Sequence, residues 1–211
     1  MAAATPPALS PRKAPRQRRA KVTVDAIFEA TIQLLLGDGM HRLTTTRVAA
    51  RAGVSVGTMY QYFPNKQALI YALNERYLDA LAGKIEAACH AHRGAPAGRM
   101  VEALVDTYWS AKTERADVTR ALYRSVADID NTAMIEAFAR RVDAATTAML
   151  ASAPGMPIAR LASINLTLVT VIFGTVRSTF ERNLSVDQTA DLQRQLKVAC
   201  RAYLEGAGAS T

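Results

Sequence analysis

The chain has 211 residues, 50% of them apolar, and a formal net charge of +8 at pH 7. That is enough apolar material to bury one or two cores without disulfides. Its two cysteines, Cys89 and Cys200, cannot form a disulfide framework, so we expect a reducing, cytoplasmic compartment. The longest uncharged apolar stretch, Leu161 to Val176, has 16 residues, and a bilayer span needs about 20. We therefore expect no membrane partner.

Positive charge is concentrated at the start of the chain. Residues 1–66 contain 10 Lys and Arg against 3 Asp and Glu, whereas the remainder contains 16 against 15. A charge distribution of this kind predicts that one end of the molecule attracts a polyanion, such as nucleic acid or an acidic surface.

Residues 1–20 are predicted to be a disordered basic arm. Four prolines and a run of Arg and Lys lie in a segment with little apolar surface to bury, and such a composition does not support a folded core. Two interpretations remain open. The arm is either a solubilising tail or a segment that lies along phosphates or enters a minor groove.

From Thr23 onward the apolar residues recur at helical spacing, and no run alternates with period two. We predict an all-α fold of about nine helices. The first helix is expected to be capped by Thr23 and to stop at Gly37–Asp38–Gly39. The remaining helices are expected at about 45–52, 56–63, 66–92, 99–112, 117–127, 132–151, 158–182 and 187–206.

Residues 44–63 have the pattern of a helix-turn-helix. Thr44 or Thr45 can cap a first short helix and Ser55 a second. Gly53 can adopt the positive φ that a tight turn between helices requires. In motifs of this kind the second helix lies in the major groove of DNA.

The second short helix is predicted to present an uncharged polar face. At 100° per residue, Met59 and Phe63 fall together on the inner side. The outward side carries two hydroxyls, one amide and one bare glycine, contributed by Gly57, Thr58, Tyr60 and Gln61. A solvent-facing helix normally carries Lys and Glu, whereas amides and hydroxyls are the groups that read base edges.

The run from Ala52 to Lys66, Ala-Gly-Val-Ser-Val-Gly-Thr-Met-Tyr-Gln-Tyr-Phe-Pro-Asn-Lys, resembles the signature of the TetR family of bacterial transcriptional repressors. The resemblance is specific over residues 22–70 and general beyond them. It implies a three-helix DNA-binding domain at 21–66 and a larger helical domain for ligand binding and dimerisation at 67–211.

The resemblance also implies roles for individual residues. Thr45 matches a phosphate-contacting position and Thr46 a position that can reach a base. Lys66 matches a phosphate-binding lysine at the start of the fourth helix, where backbone amides also point outward. Val56 departs from members that carry a polar base reader there. The expected base-facing set is Gly57, Thr58, Tyr60 and Gln61, with Tyr60 and Tyr62 as further candidates for backbone contact.

Aromatic and Met residues on the middle helices usually build core, but the resemblance implies that some line a cavity for a small, largely apolar effector. Carboxylates and amides that point inward would anchor such a ligand. The candidate ligand-binding residues are Glu102, Asp106, Trp109, Tyr123, Met134, Phe138 and Asn165.

The predicted helices at 158–182 and 187–206 are apolar enough to be shared with a partner, as half of a four-helix dimer interface. The resulting hypothesis is a homodimeric repressor that binds a palindromic double-stranded DNA operator and is released by its effector. Two alternatives remain open, a constitutive or architectural DNA-binding protein without a ligand, and a small helical enzyme with an anionic substrate.

We expect no enzyme activity, no cofactor and no metal site. The chain has no phosphate-binding glycine loop, no dinucleotide fingerprint and no nucleophile elbow. Cys89 and His92 share one helix face, but two ligands are too few for structural zinc.

Overall fold

The computed structural model describes residues 18–126, 129–182 and 184–209. Over these residues the chain forms nine α-helices and no β-strand, which confirms the predicted all-α class. The helices are α1 (Arg18–Arg42), α2 (Thr45–Ala52), α3 (Val56–Tyr62), α4 (Lys66–Ala91), α5 (Ala97–Thr113), α6 (Ala116–Ser125), α7 (Thr132–Ala151), α8 (Leu161–Glu181) and α9 (Val186–Ala209), with a 3₁₀ turn at Ile158–Arg160.

The first helix begins earlier than predicted. It starts at Arg18, so Thr23 lies inside the helix and is not its N-cap. The predicted stop at Gly37–Asp38–Gly39 is confirmed, because Gly39 has a non-helical backbone with φ 73° and ψ 175°, and the kink there separates two helical pieces of α1. Residues 1–17 of the predicted arm lie outside the described part of the chain, and residues 18–20 are helical.

The chain divides into two compact units. The first contains the residues up to Leu78 together with Asp117–Glu136, and the second contains Asp79–Ala116 together with Ala137–Thr211. The division falls inside α4 and assigns α6 to the first unit. The functional domains expected at 21–66 and 67–211 stay a prediction.

The core of the first unit is built around the helix-turn-helix. Phe28 of α1 contacts Phe63, with ring centroids 5.6 Å apart, and Met59 is completely buried. Val118 and Leu122 of α6 belong to the same cluster. Burial of this apolar surface is the main stabilising term for so small a unit, and α6 supplies part of it.

In the second unit, α5 packs against α8 and α9. The α5 positions that face inward recur every four residues, as expected for one stripe of a helix. Charged pairs between α5 and α9 lie at the edge of this packing. The buried apolar residues include Met100, Leu104 and Tyr108 of α5, Ile164, Leu168 and Ile172 of α8, and Leu196, Cys200 and Leu204 of α9.

Within the described residues, one helical segment, Ile158–Glu181, is long and apolar enough to cross a membrane by length and composition alone. The core helix of a soluble protein meets the same criterion. Its Ile164 and Ile172 are completely buried, while Leu166 and Val171 are exposed. The exposed positions therefore leave part of the apolar surface of this helix in contact with solvent.

We expect Gly53→Ala to lower the free energy of unfolding by roughly 1–2 kcal/mol, the cost of a left-handed backbone for a residue with a Cβ. Gly53 has φ 67°, and an added Cβ would meet no atom within 4 Å, so the backbone conformation alone carries the cost. Gly37→Ala is the matched control, because Gly37 is helical and equally open. It should raise stability by up to about 1 kcal/mol. Urea denaturation followed by circular dichroism measures both, and equal effects would contradict this explanation.

Candidate nucleic-acid interface

The first short helix of the motif is fixed at its start by Thr44. The Thr44 Oγ1 accepts a hydrogen bond of 3.2 Å from the backbone N–H of Arg47, which satisfies one of the helix's free amides. Of the two predicted caps, Thr44 is therefore the one used. Thr45 and Thr46 then occupy the first turn of α2, Thr45 nearly buried and Thr46 exposed.

Arg47 holds the end of α1 against α2. Its guanidinium donates to the Asp38 carboxylate at 2.6 Å and to the carbonyl of Arg42 at 2.9 Å. These contacts join Arg47 to residues on both sides of the kink at Gly39. They fix the short link that precedes the motif, so that the first turn of α2 has a defined position.

The turn between α2 and α3 is made by Gly53 as predicted. Gly53 has φ 67° and ψ 29°, and its N–H caps α2 at Ala49 and Ala50. The next N–H, from Val54, donates to the carbonyl of Ala49 at 3.0 Å. Ser55 then caps α3 by accepting from the N–H of Thr58 at 3.0 Å.

The inner side of α3 is apolar and packed. Met59 and Phe63 are buried in the core of the first unit, as predicted. Tyr62 is 7% exposed and lies beside Phe63, with ring centroids 6.4 Å apart. Tyr60 is exposed, so it is the more available of the two phenols proposed for backbone contact.

The outer side of α3 carries the predicted uncharged groups. Exposure along α3 follows the helical period. The exposed residues are Gly57, Tyr60 and Gln61, and Thr58 is half-buried. Val56 is exposed on the same short helix. No residue of α3 carries a charge, and the surface is therefore polar without being a typical charged solvent face.

Two hydroxyls of this surface are already held in place. The Thr58 hydroxyl lies 2.8 Å from the Ser55 hydroxyl, and the Tyr60 hydroxyl lies 3.3 Å from the Thr45 hydroxyl. The second contact joins α3 to the first turn of α2. Such bonds restrict rotamers before any partner binds, and so reduce the entropy lost on association.

Lys66 is the first residue of α4, where the chain re-enters a helix after Pro64. Asn65 caps this helix by accepting from the N–H of Ala68 at 2.7 Å. An ammonium group next to outward-pointing backbone amides makes a favourable position for a phosphate. The described side chain of Lys66 is half-buried.

The two carboxylates predicted as ligand anchors are engaged elsewhere. Glu102 pairs with Arg201 at 2.9 Å and Asp106 with Lys197 at 2.6 Å. Asp106 also accepts from the amide of Gln193 at 2.8 Å. Both carboxylates therefore join α5 to α9, and their role as ligand anchors stays a prediction.

The other predicted ligand residues are distributed over both units. Trp109, Phe138 and Asn165 belong to the second unit, whereas Tyr123 and Met134 belong to the first. Trp109 and Met134 are buried as core residues, and Tyr123 and Phe138 are half-buried.

Asn165 is almost fully buried on α8. Its amide nitrogen lies 3.4 Å from Asp143, and its Oδ1 has no hydrogen-bond partner among the described residues.

Lys112 was not among the residues predicted from the sequence. It lies four residues after Tyr108 on the apolar stripe of α5 and is only 2% exposed, and its Nζ is 5.7 Å from the centroid of the Tyr108 ring. Burial lowers the pKa of Lys112 to about 7. A charged residue on the stripe Met100, Leu104, Tyr108 was the signal available in the sequence.

The cysteines are buried thiols. Burial raises the pKa of Cys89 and of Cys200 to about 11, so neither is a nucleophile at neutral pH. His92, which follows Cys89 at the end of α4, has its Nδ1 2.9 Å from the carbonyl of Ala88. This contact agrees with its interpretation as a helix-terminus histidine.

Two family models match the chain. The model described as "Bacterial regulatory proteins, tetR family" matches residues 27–73. The model described as "Tetracyclin repressor-like, C-terminal domain" matches residues 96–204. The first match contains the whole helix-turn-helix, and the second spans α5 to most of α9.

Two relatives resemble the DNA-binding part. The nucleoid occlusion factor SlmA of Actinobacillus pleuropneumoniae serotype 5b is 42% identical over 78 residues, 36% of this chain and 36% of SlmA. The tetracycline repressor protein class C of Escherichia coli is 41% identical over 58 residues, 28% of this chain and 26% of the repressor. The chain thus spans about a third of the length of the curated relatives it matches.

Solved structures share the fold over most of the chain. A TetR transcription regulator from Haloarcula marismortui has a TM-score of 0.65 and 20% identity, covering 88% of this chain and 98% of its own. The regulator FadR from Bacillus subtilis, solved with stearoyl-CoA, has a TM-score of 0.65 and 17% identity, covering 83% and 96%. Identities this low establish the fold alone.

We expect Ser55→Ala to destabilise the protein by about 1 kcal/mol, because the N–H of Thr58 loses its cap. Ser55→Asn should restore most of the loss, since an Asn side chain also caps. Urea denaturation of the wild type and both variants tests this. A Ser55→Asn variant as unstable as Ser55→Ala would show that the serine acts in another way.

Proposed function

The chain is a DNA-binding transcriptional regulator of the TetR family, and from that premise we propose that it is a ligand-responsive repressor. In this proposal it binds a palindromic operator as a homodimer in the cytoplasm, and a small, largely apolar effector releases it. The models and relatives that it matches describe regulators rather than enzymes.

The observation that carries the proposal is the surface of α3. It presents an exposed amide, Gln61, and an exposed phenol, Tyr60, on a helix whose opposite side is pinned in the core. Gln can pair bidentately with adenine, and Thr58 can contact a base edge or a thymine methyl. Gly57 allows the backbone to come close to the groove.

Backbone contacts supply affinity in this proposal. Thr45, Thr46 and Lys66 lie at the starts of α2 and α4, where free amides add to side-chain donors. The basic residues of the N-terminal arm would add sequence-independent attraction, so that binding depends strongly on salt.

The helices α8 and α9, which were predicted at about 158–182 and 187–206, are proposed to form the dimer interface. Leu166 and Val171 are exposed on α8, and Val186 and Val198 are exposed on α9. A two-fold dimer would place two copies of α3 in successive major grooves, with half-site centres about 34 Å apart or a multiple of that distance.

The response to the effector is proposed to travel along α4. This helix runs from residues of the first unit into the second, where Arg141 of α7 donates to both oxygens of Glu86 at 2.8 Å and also pairs with Asp79. Movement of α7 would therefore carry α4 with it. An effector can shift the equilibrium only by its difference in affinity for the two states.

A nucleoid-associated role without an effector is the second candidate, favoured by the identity to SlmA over the DNA-binding part. The match covers about a third of either chain, so it supports DNA binding rather than a shared second domain. Selection of bound sequences from genomic DNA separates the two. A repressor should select a few sites near genes, whereas a nucleoid protein should select many dispersed ones.

We expect Gln61→Ala to lower affinity for the selected operator by about 1–3 kcal/mol while leaving affinity for unrelated DNA unchanged. Gln33→Ala is the matched control, because Gln33 is an exposed glutamine of α1 that bonds Glu29 and Arg51. Lys66→Met should instead weaken both kinds of DNA and reduce the salt slope by about 1. Fluorescence anisotropy measures all four proteins, and unchanged operator preference in Gln61→Ala would refute the assigned reading surface.

We expect Val198→Glu, alone or with Leu166→Glu, to convert the dimer into a monomer, because a carboxylate would be buried without a partner. Val22→Glu is the control, since Val22 on α1 is 62% exposed and Val198 is 63% exposed. Size-exclusion chromatography with light scattering reports the mass. A monomeric wild type at micromolar concentration would contradict the proposed dimer, and a dimeric double variant would place the interface elsewhere.

A further inference from the structure

Lys112 is a lysine inside the packing of the second unit. It is 2% exposed and shares one stripe of α5 with Met100, Leu104 and Tyr108, all buried. Lysine is rarely buried so completely, because its ammonium loses hydration there. Burial brings the pKa of Lys112 to about 7, so the charged and neutral amines are close in free energy at neutral pH. The protonation state of such an amine responds strongly to a nearby charge.

An aromatic surface begins at this lysine. The Nζ of Lys112 lies 5.7 Å from the centroid of the Tyr108 ring. Tyr108 is stacked on Phe173 of α8, with centroids 3.9 Å apart and planes at 10°. Phe173 in turn meets Phe138 of α7 at 5.9 Å.

The far end of this surface is partly open to solvent. Tyr108 is buried, whereas Phe173 and Phe138 are half-buried. All four side chains belong to the second unit. The unit therefore joins a cation in its interior to aromatic rings that reach its surface. Apolar side chains with one placed polar group are typical of small-molecule sites.

We propose that Lys112 binds the acidic group of the effector, and that the effector's apolar body lies along Tyr108, Phe173 and Phe138. The ligand class is a monocarboxylic acid with an extended or flat apolar body. This inference rests on the proposed ligand response and adds to it the chemistry of the ligand and the residue that selects it.

A carboxylate fits this position better than a neutral or cationic head group. A protonated lysine offers three donors and no acceptor, and charge-assisted bonds to a carboxylate are short and strong. The face of Tyr108 also favours the cationic form of Lys112. The carboxylates that could receive a cationic ligand on α5, Glu102 and Asp106, are already paired with α9.

The test compares probes that differ only in their head group. Decanoate, decanol and decylamine are titrated into the full-length protein by calorimetry, below their aggregation concentrations. The wild type should bind decanoate about tenfold or more tightly than decanol, as expected for a hydrogen bond between charged partners. Decylamine should bind no better than decanol.

Lys112→Met keeps the length of the side chain and removes its charge. It should abolish the preference for decanoate over decanol and leave the affinity for decanol within about twofold, because the apolar contacts remain. Lys84→Met is the control. Lys84 belongs to the same unit and pairs with Glu114 at 3.2 Å on its surface, and its loss should leave the preference intact.

Circular dichroism and thermal unfolding establish whether each variant is folded. If Lys112→Met does not fold, Lys112→Gln replaces it in the comparison. Equal binding of decanoate and decanol by the wild type, no binding of either, or an unchanged preference in the folded Lys112 variant would each overturn the inference. Operator binding without any probe is measured in parallel. Absence of operator binding would overturn the proposed repressor function and leave the preference for the acid unaffected. Normal operator binding without a preference for the acid would overturn this inference and leave the proposed repressor function unaffected.

Discussion

The turn at Gly53 is the constraint on which the DNA-binding surface depends. Its left-handed backbone forms the turn between two short helices. Caps at Thr44 and Ser55 define where each helix begins. Neither helix is long enough to be stable alone, so their mutual packing through Met59 must hold them. Without that turn, an outward Gln61 on α3 would have no fixed relation to Thr45 on α2.

Local features of this motif were predictable because local chemistry determines them. A glycine between two capped helices, and apolar residues four apart, leave few alternatives for residues 44–63. The start of α1 was not predicted, because Thr23 resembles a cap and prolines precede it. The segment Arg18-Arg-Ala-Lys21 consists of strong helix formers that follow Pro15, the last of the four prolines in residues 1–20. Helix propensity therefore prevailed over the capping residue.

Long-range pairing explains most of what the sequence could not predict. Glu102 and Asp106 lie four apart on one face of α5, which is equally consistent with ligand anchors and with partners on another helix. Only the structure places Arg201 and Lys197 beside them. The same holds for α6, whose Val118 and Leu122 complete the core of the first unit although the whole of α5 lies between α4 and α6 in the sequence.

The two halves of the molecule obey different physical demands. A surface that reads base edges requires particular groups at particular positions, which is consistent with identity to relatives being high over the DNA-binding part. A helical second unit requires only apolar stripes of suitable volume, so the fold persists at 17% identity. Within such a stripe, a residue that breaks the pattern carries more information about function than those that keep it. Lys112 is the residue that does so on α5, because burial of its ammonium group costs hydration that an apolar side chain at the same position would not lose.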